Sequence, residues 1–487
     1  MKYSKNGENG KAEREGSKGP GKPVAGRQNT PDLLVSDVDV NLPPLRSDVE
    51  MIPVTHEEKE LIYFHDPQGY LPGPIALDKQ ITALLPMLNG QFSIRDICSD
   101  LKRYGNEVDE QHLLSFVRQL DEARLLLSPW FRYWKKEIEE TFEQNTLRPP
   151  ACAGTTYPPD GEEIRQMLDD AFASRSPEVT SMGHGKTDSA PESKPDRSTA
   201  GNVNGPAEGD NNGNPGPEGK IRALYAPHID LRVGMDSYVR AFRPLAGLKP
   251  KRVVLLATSH YAGSYFPLYD GKPFITTRKD FETPLGTIPV DHDFLDILEE
   301  RSEATGCSFA DRAHRNEHSI ELHLIFLQYL WSHPFSLVPV LVGSLEELYY
   351  MEDGDVGSKV ESMAKLLRVH FAEDADTLFL VSGDLAHVGE KFGDPQPAAG
   401  MFEDIRAFDR RFLDHAANAG SQSLLRHVGS DYDPYRICGF PPLYTALRSL
   451  CNVKGSVTSY QLWDERERES AVTFGSVLFR ALPAKPG

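Results

Sequence analysis

From residue 220 onward, six short runs are apolar almost throughout: IRALYAP, KRVVLLAT, LVPVLVG, DTLFLVSG, SVTSYQL and VTFGSVLF. Helical stretches lie between several of them, including SIELHLIFLQYL, KVESMAKLLRVHFA and PPLYTALRSL. A strand that is apolar on both sides has to be covered on both faces. The alternation therefore predicts an α/β fold, a central mostly parallel or mixed sheet flanked by helices. In sheets of this kind ligands bind beyond the carboxyl ends of the strands. Here IRALYAP runs into His228, VVLLATS into His260, and TLFLVSG into Asp384 and His387. Cys438 sits in ICG, just before a helix expected to start at Pro441–Pro442. A single histidine after a strand is ordinarily a loop residue, and an isolated cysteine is ordinarily a small buried hydrophobe. Three strands delivering such groups to one edge form a constellation.

The donor types suit a metal. Two imidazoles and one thiolate leave a coordination position open, as catalytic rather than structural sites do. Asp384 and His387 would share one side of a helical turn. Asp384 could then orient an imidazole or bind metal, and His387 could move a proton near neutral pH. The string EHSIELHL reads as an amphipathic helix with His318 and Glu321 at i, i+3. Glu317, His318 and Glu321 are expected around the bound cofactor, fixing the ligand histidines. His323 would point the other way and be structural.

Charge narrows the function classes. The 487 residues carry 53 Lys+Arg against 72 Asp+Glu, a formal charge of -19. No Lys/Arg-rich run or stripe is present, which argues against nucleic acid as a partner. Five cysteines are scattered without a CxxC pair, which suits a reducing compartment. The basic, polar N-terminus lacks the apolar stretch of a secretory signal, and no apolar run approaches the ~18 residues of a membrane span. A soluble, cytoplasmic protein without membrane contact is the expectation.

Composition divides the chain further. Residues 1–54 read as a disordered tail rich in Gly, Lys, Ser, Asn and Pro. Residues 55–130 read as a separate small α+β domain. Two strands around a Pro/Gly turn come first, followed by three helical stretches: ITALLPMLNG, SIRDICSDLKRYG with a Ser N-cap, and VDEQHLLSFVRQLDEARLLLS. Residues 131–146 read as a connector helix. Residues 176–219, dominated by Gly, Ser, Asn, Asp, Glu and Pro, read on composition as a linker dividing two domains.

The ordered series APH…G, TSH, EHSIELHL, PVLVGSL, SGDLAHVG and ICGFPP resembles the Memo family, including AmmeMemoRadiSam system protein B. The string RPPACAGTTYPP resembles the opening segment of that family's domain, which implies an α/β domain over 147–487 with a disordered insertion at 176–219 in place of a linker, a length that surface-loop entropy tolerates. The resemblance implies a fold related to LigB-type extradiol dioxygenases. It implies metal ligation by His228, His260 and Cys438, with Asp384 and His387 as the acid/base pair, and tips His318 towards the pocket. Cys438 stands where the dioxygenases use a carboxylate. A softer thiolate implies iron or copper, with zinc next, and makes dioxygenase chemistry by analogy doubtful. The helix trio ending in LDEARLLL resembles the PqqD-like winged-helix domain, which implies a peptide or protein partner. The family name implies association with a radical-SAM system, although this chain has no CxxxCxxC motif. Three functions follow. The first is a metal-dependent oxidoreductase. The second is a non-catalytic peptide- or partner-binding adaptor that retains the pocket. The third is a cysteine hydrolase pairing Cys438 with His387, for which no GxCxG-like elbow is present.

Overall fold

A computed structural model describes residues 33–174 and 219–483. The expected insertion and residues 1–32 of the expected tail lie outside them, except for Gly219. The chain divides into two compact units, residues 1–136 and 137–487.

The first unit pairs β1 (Glu50–His56), β2 (Lys59–His65) and β3 (Ile75–Asp78) in an antiparallel sheet. It continues through α1 (Ile94–Arg103), α2 (Glu110–Glu122) and α3 (Pro129–Gln144). The division between the units falls inside α3. Ser93 and Asp96 cap α1 reciprocally, satisfying two otherwise orphaned N–H groups. The stretch ITALLPMLNG forms two 3₁₀ turns, Lys79–Ala83 and Leu85–Met87, because Pro86 has no N–H to continue a longer helix. Residues 33–54, expected as tail, are part of this unit. Leu42 is buried beside Ile62, Ile94 and Val117. Arg46 is buried with its guanidinium on Asp66 (3.0 Å), stacked 4.5 Å over Phe131. The apolar residues of this stretch are too sparse for any periodic signal, and the acceptor that orders it lies twenty residues downstream.

The second unit opens with β4 (Leu147–Arg148) and α4 (Gly161–Ser174). Then come β5 (Ile221–Ala226), α5 (Leu231–Phe242), β6 (Arg252–Thr258), β7 (Phe274–Thr276), β8 (Asp280–Thr283) and β9 (Gly286–Ile288). Next are α6 (His292–Glu300), α7 (Ser302–Thr305), β10 (Cys307–Ser308), α8 (His318–Leu330), β11 (Ser336–Val342) and α9 (Asp355–Phe371). The last group is β12 (Thr377–Ser382), β13 (His387–Gly389), α10 (Phe402–Ala417), α11 (Ser421–Gly429), α12 (Phe440–Ser449), β14 (Val453–Glu465) and β15 (Ser470–Ala481).

Nine of these strands make one mixed sheet in the order β10-β7-β11-β6-β12-β5-β15-β13, with β14 on β15. Its centre, β11-β6-β12-β5, is parallel. All six residues of β5 and of β12 are buried, as strands covered on both faces require. In register, Ser382 of β12 pairs with Ala226 of β5 and Ala257 of β6. These strands therefore end at nearly one level. No helix among the described residues is long and apolar enough to cross a membrane.

Asp409 is one of the buried carboxyls expected to make the fold sensitive to pH. Asp409 of α10 accepts a hydrogen bond from the Tyr460 hydroxyl at 2.9 Å and lies beside the Thr473 hydroxyl. Burial pushes its carboxyl up from 3.8 to about 7. A carboxyl raised on folding contributes stability present below its unfolded value and lost as pH rises through its folded value. The contribution of this group should therefore decline between about pH 4 and pH 7, with a slope of at most ~1.4 kcal/mol per pH unit, against the opposite contribution of buried histidines such as His314 and His323, each held at about 3 by burial. Asp409→Asn should flatten that decline. An unchanged profile in the variant would place the titration elsewhere.

Candidate metal centre

His228, His260 and Asp384 each stand two residues beyond the last residue of β5, β6 and β12. The common register therefore brings them to one edge of the sheet. Cys438 arrives from another direction, on the loop that enters α12, and a glycine pair makes its approach feasible. A Cβ on Gly383 would lie 2.1 Å from the Gly439 Cα, and one on Gly439 would lie 2.3 Å from the Tyr225 hydroxyl and 2.7 Å from the Asp384 carbonyl oxygen. Gly439 N–H donates to that same carbonyl at 2.9 Å, and Thr258 Oγ1 donates to the Cys438 carbonyl at 2.7 Å. Gly439→Ala should push the cysteine loop off the strand ends. The expected result is at least a ~10-fold loss of metal affinity with the sheet intact, read by titration and circular dichroism. Retained affinity would contradict this packing argument.

The ligand atoms of His228, His260 and Cys438 lie within 4.8 Å of one another. The thiol sulfur is 3.3 Å from His228 Nε2 and accepts the Asp384 N–H at 3.3 Å. Each imidazole is held by its other nitrogen. Ser382 Oγ donates its proton to the Ser319 carbonyl at 2.6 Å, so at 3.0 Å it accepts from His228 Nδ1. Glu317 accepts the His260 backbone N–H at 2.7 Å and stands 2.9 Å from His260 Nδ1. A carboxylate only accepts, so Nδ1 is the protonated nitrogen in both rings, and both Nε2 atoms face the centre. This donor set fits a transition-metal ion.

The electrostatics differ between the two rings. Burial, followed by the nearby His260 charge, holds His228 well below the ordinary imidazole value. Burial acts on His260 in the same sense, but Glu317 and then Cys438 outweigh it and hold this imidazole well above the ordinary value. Glu317, also opposed by burial, is held down at about 2 by His260. Burial raises the Cys438 thiol, against the pull of His260. Asp384 is pushed up to about 7 by burial, while its Oδ1 accepts the His228 N–H at 3.0 Å.

The structure brings most of the expected residues together. His318 opens α8, its ring stacked 4.6 Å from that of His260 and edge-on to that of His228 at 5.2 Å. Burial and then the His260 charge lower it to about 4, leaving it neutral. His260, Glu317 and His318 form a second grouping with ligand atoms within 4.8 Å. His387 does not share a helical turn with Asp384. It opens β13, because Leu385 and Ala386 donate to the Thr473 carbonyl and hydroxyl (both 2.8 Å) and are drawn into the sheet. Its Nδ1 bonds the carbonyls of Leu385 (3.0 Å) and Arg436 (3.2 Å), which leaves Nε2 as an acceptor. Burial lowers it to about 4.

Glu321 is the departure. Its carboxylate accepts the Ala151 and Cys152 N–H groups at 2.8 Å and bonds the Tyr157 hydroxyl and the Arg148 guanidinium. One helical turn beyond His318, it faces the 147–157 segment instead of a cofactor. His323 is buried against the rings of Phe242 (5.6 Å) and Tyr238 (6.0 Å). Ser382, Gly383 and Gly439 were missed at the level of sequence. Ser382 and Gly383 are embedded in the VSGD string, where nothing marks a hydroxyl as an imidazole's acceptor.

Comparison with known proteins agrees with this architecture. Residues 208–478 match the family described as Memo-like protein. A MEMO1 family protein of Aquifex aeolicus is 25% identical over 418 residues, covering 85% of this chain and 94% of the relative. That alignment is too long to fit within residues 137–487, so it includes part of the first unit. A MEMO1 family protein of Thermus thermophilus is 26% identical, covering 77% of this chain and 95% of its own length. The memo-1 homolog of Caenorhabditis elegans is 32% identical over 48% of this chain and 63% of its own. With the family match spanning more than half of its length, the chain belongs to the Memo-like protein family.

Proposed function

We propose that this protein binds one transition-metal ion through His228 Nε2, His260 Nε2 and Cys438 Sγ, and acts as a metal-dependent oxidoreductase. The observation that carries the proposal is the convergence of both Nε2 atoms and the sulfur within 4.8 Å, each imidazole fixed by its own partner. The thiolate favours iron or copper over a hard oxygen-preferring ion, with zinc a further occupant. Iron or copper held there would supply one-electron chemistry, and zinc a Lewis acid. The protein's own groups do the rest. Asp384 orients His228 through its backbone N–H, His387 Nε2 takes a proton from a bound molecule, and neutral His318 lines the open side. Uptake of an ion displaces protons from His260 and Cys438, so affinity should fall as pH falls.

The test is anaerobic purification of the full chain, followed by metal analysis and dialysis against Zn²⁺. Wild type should hold about one equivalent, consistent with three protein ligands. His228→Ala and Cys438→Ser should hold none. Equal metal in all three would refute the assignment.

A second reading is an adaptor that retains the pocket, with the first unit, read as PqqD-like, as its docking module. The observation favouring it is β1, an edge strand with an exposed face and an unpaired side among the described residues. Such an edge can accept an added peptide strand. Partner capture by the full chain that survives His228→Ala would favour this role, and loss of capture would tie binding to the pocket.

A further inference from the structure

We propose that Arg148 is a positioning residue for the metal centre, and that docking of the segment 147–157 onto α8 is coupled to metal occupancy. This rests on the reading of His228, His260 and Cys438 as metal ligands.

Arg148 is fully buried, and its guanidinium does more than pair with Glu321. Nε donates to the His314 carbonyl at 3.0 Å and Nη2 to the Glu317 carbonyl at 2.6 Å. Those two carbonyls flank the turn into α8. Glu317 is the N-cap of that helix, accepting the Ser319 N–H at 3.1 Å, and the same carboxylate holds His260 by both its backbone N–H and Nδ1. A continuous path of hydrogen bonds thus runs from Arg148, through the backbone and carboxylate of Glu317, to a proposed ligand. A planar fork with several fixed donors is needed to grip two carbonyls and a carboxylate together, and lysine cannot reproduce it.

The segment has little structure of its own. Its regular part is the two-residue β4 on β8, and a turn closes from Gly154 N–H to the Tyr157 carbonyl at 2.7 Å. Turns from the Thr155 and Thr156 N–H groups to the Cys152 carbonyl and burial of Cys152 and Tyr157 in the core add to this, and Glu321 holds the segment to α8 through the Ala151 and Cys152 N–H groups and the Tyr157 hydroxyl. Undocking would therefore free both the Glu317 backbone and the base of α8. Conversely, an ion that fixes His260 fixes Glu317 and makes docking more favourable. Coupling of this kind is reciprocal.

The experiment is hydrogen exchange followed by mass spectrometry on the full chain, with and without Zn²⁺. Peptides covering 147–157 and 312–318 should exchange on the order of 10-fold more slowly with zinc, and by more than α10, which reports global stabilisation. Cys438→Ser given the same zinc should show no difference. Arg148→Lys should bind zinc on the order of 10-fold more weakly while still giving the thiolate absorption of a Co²⁺-loaded site. If that variant does not fold, the wild-type exchange pattern decides alone. Zinc uptake without selective protection of 147–157 overturns this proposal and leaves the metal assignment standing. A wild type that takes up no metal overturns both.

Discussion

Glu321→Ala should destabilise the protein by about 3–5 kcal/mol. The substitution strands the Arg148 guanidinium in the interior, where both side chains are fully buried. It also removes the acceptor of the Ala151 and Cys152 N–H groups and of the Tyr157 hydroxyl. A buried charge left without its partner loses the Coulomb attraction while its desolvation remains, which is why breaking such a pair costs more than the pair contributes. Glu321→Gln keeps an acceptor and should fall between the variant and wild type. Surface pairs such as Lys251 with Asp376 should cost ~0–1 kcal/mol when broken. Denaturant midpoints of the metal-free proteins measure this. A loss below ~1 kcal/mol for Glu321→Ala would show that the network is solvated in solution.

Glu317→Gln should weaken metal binding by about 10- to 100-fold with little change in secondary structure. A carboxylate can only accept, so it keeps the His260 proton on Nδ1 and turns Nε2 towards the ion. An amide can instead donate, which permits the opposite tautomer and takes the lone pair away from the centre. Because Glu317 is held at about 2, it stays charged throughout the neutral range. Its own contribution to stability is present above 4.5 and is lost only as pH falls towards about 2. The loss of affinity in Glu317→Gln should therefore persist across neutral pH. Ser382→Ala, which removes a neutral acceptor from His228, should have the smaller effect. Competition titrations with Zn²⁺ measure both, and equal affinity for wild type and Glu317→Gln would exclude the carboxylate's role.

Much of this was legible in residue order because the α/β sheet repeats one rule. Apolar runs covered on both faces end in polar residues at a shared edge, so His228, His260 and Asp384 could be read from strand ends alone. Cys438 was harder, since its approach depends on Gly383 meeting Gly439, a contact between residues 56 positions apart that no local pattern encodes. The i, i+3 spacing of His318 and Glu321 was read as one shared site. On α8 the two side chains instead serve opposite neighbours, His318 the imidazole cluster and Glu321 the segment around Arg148. Helical spacing specifies a face and does not say what covers it. The helical turn expected at Asp384–His387 failed for a related reason. Thr473, distant in sequence, pairs with the intervening residues and sheet pairing overrides local geometry. In the first unit, Arg46 and Leu42 order a stretch that composition alone assigns to a tail.

The central claim is that a cysteine thiolate and two neutral imidazole nitrogens share one ion. Absorption spectroscopy of the full chain titrated anaerobically with Co²⁺ tests it most directly. The arrangement predicts a thiolate-to-cobalt charge-transfer band that saturates at about one equivalent and disappears in Cys438→Ser. A band of equal strength in that variant, or no cobalt uptake by wild type, would contradict it.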